Sequence, residues 1–120
     1  MPDKKTWQNR IKAATVEAGT YQPFFDDIIE TLAGIMEKRD RAETQFEQTG
    51  GNAVIQYTNK SGATNLVKNP LLVMVNDLNG TALSYWRDLG LTPKGYTAMQ
   101  KNGFQQSKGS FEDLLRNIGV

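Results

Sequence analysis

The most constraining feature of the sequence is a pair of long amphipathic stretches, residues 21–48 and 70–89. In the first stretch an apolar stripe recurs at steps of three and four: Phe25, Ile29, Leu32 and Met36. The second stretch repeats this spacing with Leu71, Val75, Leu78 and Ala82, followed by Tyr85 and Leu89. Residues at these steps share one face of a helix. The pattern therefore predicts two long helices, each with an apolar face.

Local signals mark where these helices begin and end. Pro23 falls in the first turn of the first long helix, where its missing N–H costs nothing. Two glycines at 50–51 follow that long helix. Asn69 can cap the second helix and Pro70 can start it, while Gly90 can close it. Between the two helices, residues 53–58 and 63–67 are rich in strand formers and flank the turn residues 59–62. We expect a β-hairpin here, which must lean on a helix or pair with a neighbouring chain because two strands alone are marginal.

Shorter helices are predicted at both ends of the chain. The first covers residues 6–18, with Thr6 as its cap and Gly19 as its end. Thr92 and Pro93 start another that runs to about residue 101, and a linker at 105–109 leads to a last short helix at 110–118. The expected fold is mainly α: a long antiparallel helical hairpin with a β-hairpin between its two helices, plus short N- and C-terminal helices.

This layout divides the chain into three segments. Residues 1–20 form a basic helix suited to DNA contact, residues 21–101 form the helical hairpin with its β-hairpin insertion, and residues 102–120 form a linker and short helix suited to partner contact. A chain of 120 residues is one domain with a modest core. The two stripes named above are partly core, yet their width exceeds what so short a chain can cover. They therefore predict a closed homo-oligomer of more than four chains, built on the two long helices.

The composition excludes most catalytic chemistry. The chain has no histidine and no cysteine, so the usual triads and zinc ligand sets are impossible. The glycines at 50–51 are followed by Asn52 and Ala53 rather than by a P-loop lysine. Asp26, Asp27 and Glu30 carry the ligand type for a divalent cation, but a helix start favours acids for its dipole alone. We expect no enzyme activity, no metal and no cofactor.

The sequence also lacks membrane and export signals. No apolar run approaches the ~18 residues of a membrane span, and the N-terminus has no apolar segment typical of a signal peptide. The absence of cysteine is compatible with an intracellular protein.

Cations concentrate near the two ends, although the net charge is only +1. This pattern suits termini that meet an anion such as DNA. The predicted DNA-contacting residues are those of the basic N-terminal segment, Lys4, Lys5, Gln8, Arg10 and Lys12, with a second patch at Lys94 and Lys101. Trp7 and Ile11 should point to the core. The alternative is that these cations form ordinary solvated faces that keep the protein soluble.

Residues 85–101 have the outline of a helix-turn-helix, but Trp86 stands where the close approach of two helices requires a small residue. The same region carries a more definite pattern. Lys68-Asn-Pro-Leu-Leu leads through one helix to Leu89-Gly-Leu-Thr-Pro93, and Gly19-Thr-Tyr21 and Asn59-Lys-Ser-Gly62 precede it. In order and spacing, residues 7–100 resemble the small terminase subunits of tailed bacteriophages. Members often have an arginine soon after the Leu-Thr-Pro turn, where this chain has Gly95 and Tyr96.

The resemblance implies a role in genome packaging. Small terminases form rings of identical chains, bind double-stranded viral DNA at its packaging start, and load the large terminase subunit, which supplies the ATPase and nuclease. Such a protein acts in the host cytoplasm. Two other functions remain open from the residues: a dimeric regulatory DNA-binding protein, and a structural head–tail interaction protein without DNA contact.

Overall fold

The structure, a computed structural model, describes residues 1–101. Its elements in chain order are α1 (Lys4–Ala18), a 3-10 turn (Pro23–Phe25), α2 (Asp26–Gln48), β1 (Val54–Thr58), β2 (Thr64–Lys68), α3 (Pro70–Asp88) and α4 (Pro93–Lys101). The predicted fold class is confirmed: a mainly helical chain whose two long helices are joined by an antiparallel β-hairpin. The predicted linker and last helix, within 102–120, lie outside the described residues.

The long helices α2 and α3 run antiparallel and share one core with α1. Arg39 of α2 donates to Asn79 of α3 across 3.2 Å, midway along both helices. The buried residues of this core come from all three helices and the turns that join them: Ile11, Tyr21, Phe25, Ile29, Leu32, Ala33, Met36, Ala82 and Leu89. The apolar stripes read from the sequence therefore meet one another inside a single chain.

The first helix begins two residues earlier than predicted. Asp3, in extended conformation, accepts a hydrogen bond from the Thr6 N–H at 2.8 Å, and Thr6 is thus inside the first turn. Thr6 as the cap is wrong, because the carboxylate three residues upstream already satisfies this free amide. Hydrogen bonds from the Thr6 N–H and then the Thr6 hydroxyl hold the pKa of Asp3 below its ordinary value. The predicted end is confirmed: Gly19 has φ 76°, the left-handed conformation that suits glycine.

Asn69 fixes the junction between the β-hairpin and α3. It caps α3, as the sequence predicts. Its side-chain oxygen accepts from the Leu71 N–H at 3.0 Å, while its side-chain amide donates to the Asn52 carbonyl at 3.0 Å. Its backbone N–H donates to the Ala53 carbonyl at 2.8 Å. One buried side chain thus caps a helix and closes the base of the hairpin.

The β-hairpin stands largely on its own. Its strands pair in antiparallel register from Val54 opposite Lys68 to Thr58 opposite Thr64. Within residues 1–101 the strands pack mainly on each other. Only the base of the hairpin, at Val54 and Lys68, adjoins α3, so most of the hairpin does not lean on a helix. Its exposed apolar side chains are those of Val54, Tyr57 and Leu66. Pairing with a neighbouring chain is the other way, predicted from the sequence, in which the hairpin can be stabilised.

Candidate nucleic-acid interface and apolar flanks

The cations of α1 lie against the acidic helix α2. The ammonium of Lys4 pairs with the Glu30 carboxylate at 3.2 Å, and the Lys4 backbone N–H donates to Glu37 at 2.7 Å. The ammonium of Lys12 is 3.8 Å from a carboxylate oxygen of Asp26. Two of the predicted DNA-contacting lysines are therefore already near carboxylates of their own chain.

Two cations of α1 also lie close to aromatic rings. The Arg10 guanidinium lies 5.4 Å from the ring centroid of Trp7, and the Lys12 ammonium 5.2 Å from that of Tyr21. Such contacts are attractive through the ring quadrupole. Lys5 is exposed and forms no ion pair within residues 1–101, whereas Gln8 is half-buried. Among the predicted N-terminal cations, Lys5 is the least engaged.

The core-facing side of α1 matches the prediction. Ile11 is fully buried, and the indole N–H of Trp7 donates to Asp40 of α2 at 2.8 Å. Tyr21, just after α1, is also buried, and its hydroxyl donates to Asp26 at 2.8 Å. Burial raises the pKa of Tyr21, and the hydrogen bond to Asp26 raises it further. These polar contacts fix α1 on α2.

A second basic surface lies where α3 turns into α4. Lys94 and Lys101 line a shallow groove along α4 with Thr97 and Ala98 between them. Arg87, at the end of α3, lines an adjoining groove together with Lys94. Within the described residues, no ion pair engages Arg87, Lys94 or Lys101. We name these three residues the corner cations.

Arg87 was not among the residues that the sequence predicted to contact DNA. Arg87 lies one turn before Gly90, and a residue at that position lies beside the start of the next helix, which is the sequence pattern that could have indicated it. The exposed side chain of Arg87 brings a third cation next to the predicted pair Lys94 and Lys101.

The corner itself is held by close backbone packing. Gly90 has φ 74°, and the buried Thr20 hydroxyl donates to the Leu89 carbonyl at 2.9 Å. Thr92 caps α4 by accepting from the Gly95 N–H at 3.0 Å, as predicted. A Cβ on Gly95 would lie 2.2 Å from the Arg87 carbonyl oxygen. The small residue that lets the two helices approach is thus Gly95 in the second helix, while Trp86 packs against the core.

The structure places most of the predicted oligomerisation residues inside the chain's own core. Phe25, Ile29, Leu32, Met36, Val75 and Ala82 are buried, and Leu71 and Leu78 are half-buried. The physical reason is that α2 and α3 cover each other's stripes. In the single chain these buried residues are not exposed to another copy, and their role in oligomerisation stays a prediction. The exposed large apolar side chains are Met1, Val16, Phe24, Val54, Tyr57, Leu66, Val73, Met74, Leu83 and Tyr96.

The acids at the start of α2 have partners within the protein. Asp26 contacts Tyr21 and Lys12, and Glu30 contacts Lys4. No cluster of three or more potential metal-ligating side chains is present in residues 1–101. No helix of that part of the chain has the length and apolar character needed to cross a membrane.

Comparison with known proteins identifies a family. The family model described as phage terminase, small subunit, matches residues 4–106, which include the four helices and the β-hairpin that the structure describes. Searches of curated proteins and of solved structures give no match. The matched span covers most of the 120 residues and contains the Lys68-Asn-Pro and Leu89-Gly-Leu-Thr-Pro93 segments. The chain therefore belongs to the phage terminase small-subunit family.

Proposed function

We propose that this packaging protein recognises double-stranded viral DNA as a homo-oligomer and delivers it to the large terminase subunit in the host cytoplasm. Family membership supports the packaging role. The large subunit supplies ATP hydrolysis and DNA cleavage in this scheme. The present chain contributes binding surfaces, in keeping with a composition that has neither histidine nor cysteine.

The observation that carries the DNA-binding proposal is the contrast between the two basic surfaces. On α1, Lys4 and Lys12 are near carboxylates of α2, which reduces the positive potential there. The corner cations form no ion pair in the described chain, and the one carboxylate that lines their groove is that of Asp88. Unpaired lysines and arginines neutralise phosphates and release counterions. We therefore assign the main DNA contact to the corner cations, with Lys5 and its neighbours on α1 in a secondary role.

Several copies would strengthen a contact that is weak in one copy. Three cations on one chain make few phosphate contacts, and phosphate contacts carry no direct sequence information. When identical copies are linked in one assembly, the second and later contacts become intramolecular and the overall affinity rises. An oligomer placing corner cations around or along a duplex would hold DNA without any single strong site.

Charge removal at the two basic surfaces tests this assignment. We would compare Lys94→Gln/Lys101→Gln with Lys5→Gln/Lys12→Gln, using fluorescence anisotropy of a short labelled duplex at two salt concentrations. Both pairs remove two positive charges, so they are matched in net charge. We expect the α4 pair to weaken binding more and to reduce the salt slope by about 0.9 for each phosphate that the variant no longer neutralises.

Two outcomes would contradict the proposal. Loss of binding only in the α1 pair would move the contact to the N-terminal helix. No salt-sensitive binding by the wild-type protein would remove the DNA role and favour a structural interaction protein. Lys60→Gln, an exposed charge on the hairpin turn, provides a single-site control for comparison with Lys94→Gln.

A further inference from the structure

Two apolar surfaces lie on different sides of α3, near the β-hairpin. The hairpin-side flank combines the base of the hairpin with one side of α3: Ala53, Val54, Lys68, Leu72, Val73, Asn76 and Asp77. The groove-side flank lies between α2 and α3: Lys38, Arg41, Ala42, Gln45, Leu71, Met74 and Leu78. Each has exposed apolar atoms at its centre, because Val73 is 41% exposed and Met74 is 50% exposed.

Helix geometry explains why one helix has two such flanks. Successive residues of an α-helix are rotated by about 100°. Leu72 and Asn76 therefore lie on one side of the buried Val75, whereas Leu71 and Leu78 lie on the other. Both flanks span the same two turns of α3, so they are at the same height along its axis.

We propose that the hairpin-side flank of one copy docks against the groove-side flank of the next copy. This inference rests on the proposed homo-oligomer and names its contact surfaces. A contact between two different surfaces is heterologous, so every added copy leaves one flank free at each end until the assembly closes. Because the flanks are at the same height, docking needs no shift along α3, which favours a closed ring over a helical filament.

The charges around the two flanks allow one ion pair between adjacent copies. Asp77 is the acid of the hairpin-side flank, where Lys68 adds one cation across the groove. The groove-side flank carries Lys38 and Arg41. Arg41 pairs with Glu37 of its own helix at 3.5 Å, whereas Lys38 forms no ion pair within residues 1–101. Lys38 is therefore the available partner for Asp77 of an adjacent copy.

A second copy also accounts for the exposed base of the hairpin. Two paired strands without further packing are marginally stable, and Val54 is exposed in the single chain. Docking on a neighbour would cover Val54 and Val73 together with Met74 of that neighbour. A twofold dimer that used one flank against itself would leave the other flank exposed, which is why the heterologous arrangement is preferred.

The test blocks one flank at a time. Val73→Glu disables the hairpin-side flank, and Met74→Glu disables the groove-side flank. Val16→Glu on α1 is the matched control, because Val16 is 46% exposed and belongs to neither flank. Circular dichroism would verify that each variant is folded, and native mass spectrometry would give the number of chains.

The heterologous contact makes a distinctive prediction for mixing. Each blocked variant alone should be a monomer of 13.4 kDa, and the control should keep the wild-type mass. A mixture of the two variants should form a heterodimer and nothing larger, because one intact flank of each kind remains. A charge swap gives a second readout: Asp77→Lys should weaken assembly, and adding Lys38→Asp should restore it.

The outcomes separate this inference from the proposed function. A wild-type monomer would overturn both the homo-oligomer and its contact surfaces. A wild-type assembly that survives Val73→Glu and Met74→Glu would overturn only the surfaces named here. A dimer formed by either blocked variant alone would show a contact of one flank with itself, and a folded mixture that shows neither a heterodimer nor charge-swap rescue would also refute the pairing.

Discussion

The close approach of α4 to α3 makes Gly95 the most informative position for mutation. In a helix, glycine to alanine normally stabilises a protein by about 0.5–1 kcal/mol, because glycine loses more backbone entropy on folding. At Gly95 the added Cβ would lie 2.2 Å from the Arg87 carbonyl oxygen and 2.9 Å from its carbon. Both atoms belong to the backbone of α3, so no flexible side chain can move aside. The helices must separate by more than 1 Å to reach an ordinary contact of roughly 3.4–4 Å.

Overpacking of this kind costs about 1–3 kcal/mol, which exceeds the gain in helix propensity. We therefore expect Gly95→Ala to lower the free energy of unfolding by about 1–2 kcal/mol. Gly80→Ala in α3 is the matched control, because nothing lies within 4 Å of its added Cβ. That control should raise the free energy of unfolding by up to about 1 kcal/mol.

Urea denaturation followed by circular dichroism measures both variants. The displacement of α4 also moves Lys94 and Lys101 away from Arg87, so Gly95→Ala should weaken DNA binding while Gly80→Ala should not. If Gly95→Ala proved as stable as Gly80→Ala and bound DNA like the wild type, the close packing at this corner would be refuted.

Three further changes test the fold around this corner and α1. Leu32→Ala, at a fully buried position, should cost about 2–5 kcal/mol in urea denaturation. Trp7→Phe removes the indole hydrogen bond to Asp40 and should cost about 1.5–3 kcal/mol in the same assay. The pKa of Asp3 lies below its ordinary value of 3.8, so its cap contributes fully above 3.8 and is lost as the pH falls through the folded-state value. Asp3→Asn keeps an uncharged cap, and its urea midpoint should therefore change less than that of the wild type below pH 3.8.

Periodicity and capping signals predicted most of the fold. The apolar spacing in α2 and α3 requires helices, and Asn69-Pro70 and Thr92-Pro93 mark helix starts that the structure places at Pro70 and Pro93. Thr6 was wrong as a cap because a threonine and an aspartate three residues apart are both good caps. Local sequence does not decide which one lies outside the helix.

The candidate surfaces could be predicted only in part, because they depend on which helix packs against which. The spacing of Phe25, Ile29, Leu32 and Met36 shows a shared face, but it does not show whether α3 or another chain covers that face. Likewise, Lys4 and Glu30 are far apart in sequence, so their ion pair depends on the packing of α1 on α2. Arg87 is a candidate DNA-contacting residue only because α4 packs beside it.

In the proposed function, this terminase small subunit works as an assembly of several identical chains. Native mass spectrometry of the purified wild-type protein tests it most directly, because the chain mass of 13.4 kDa makes each added copy resolvable. We predict one dominant species that contains more than four chains. A monomer or a dimer as the dominant species would contradict the account.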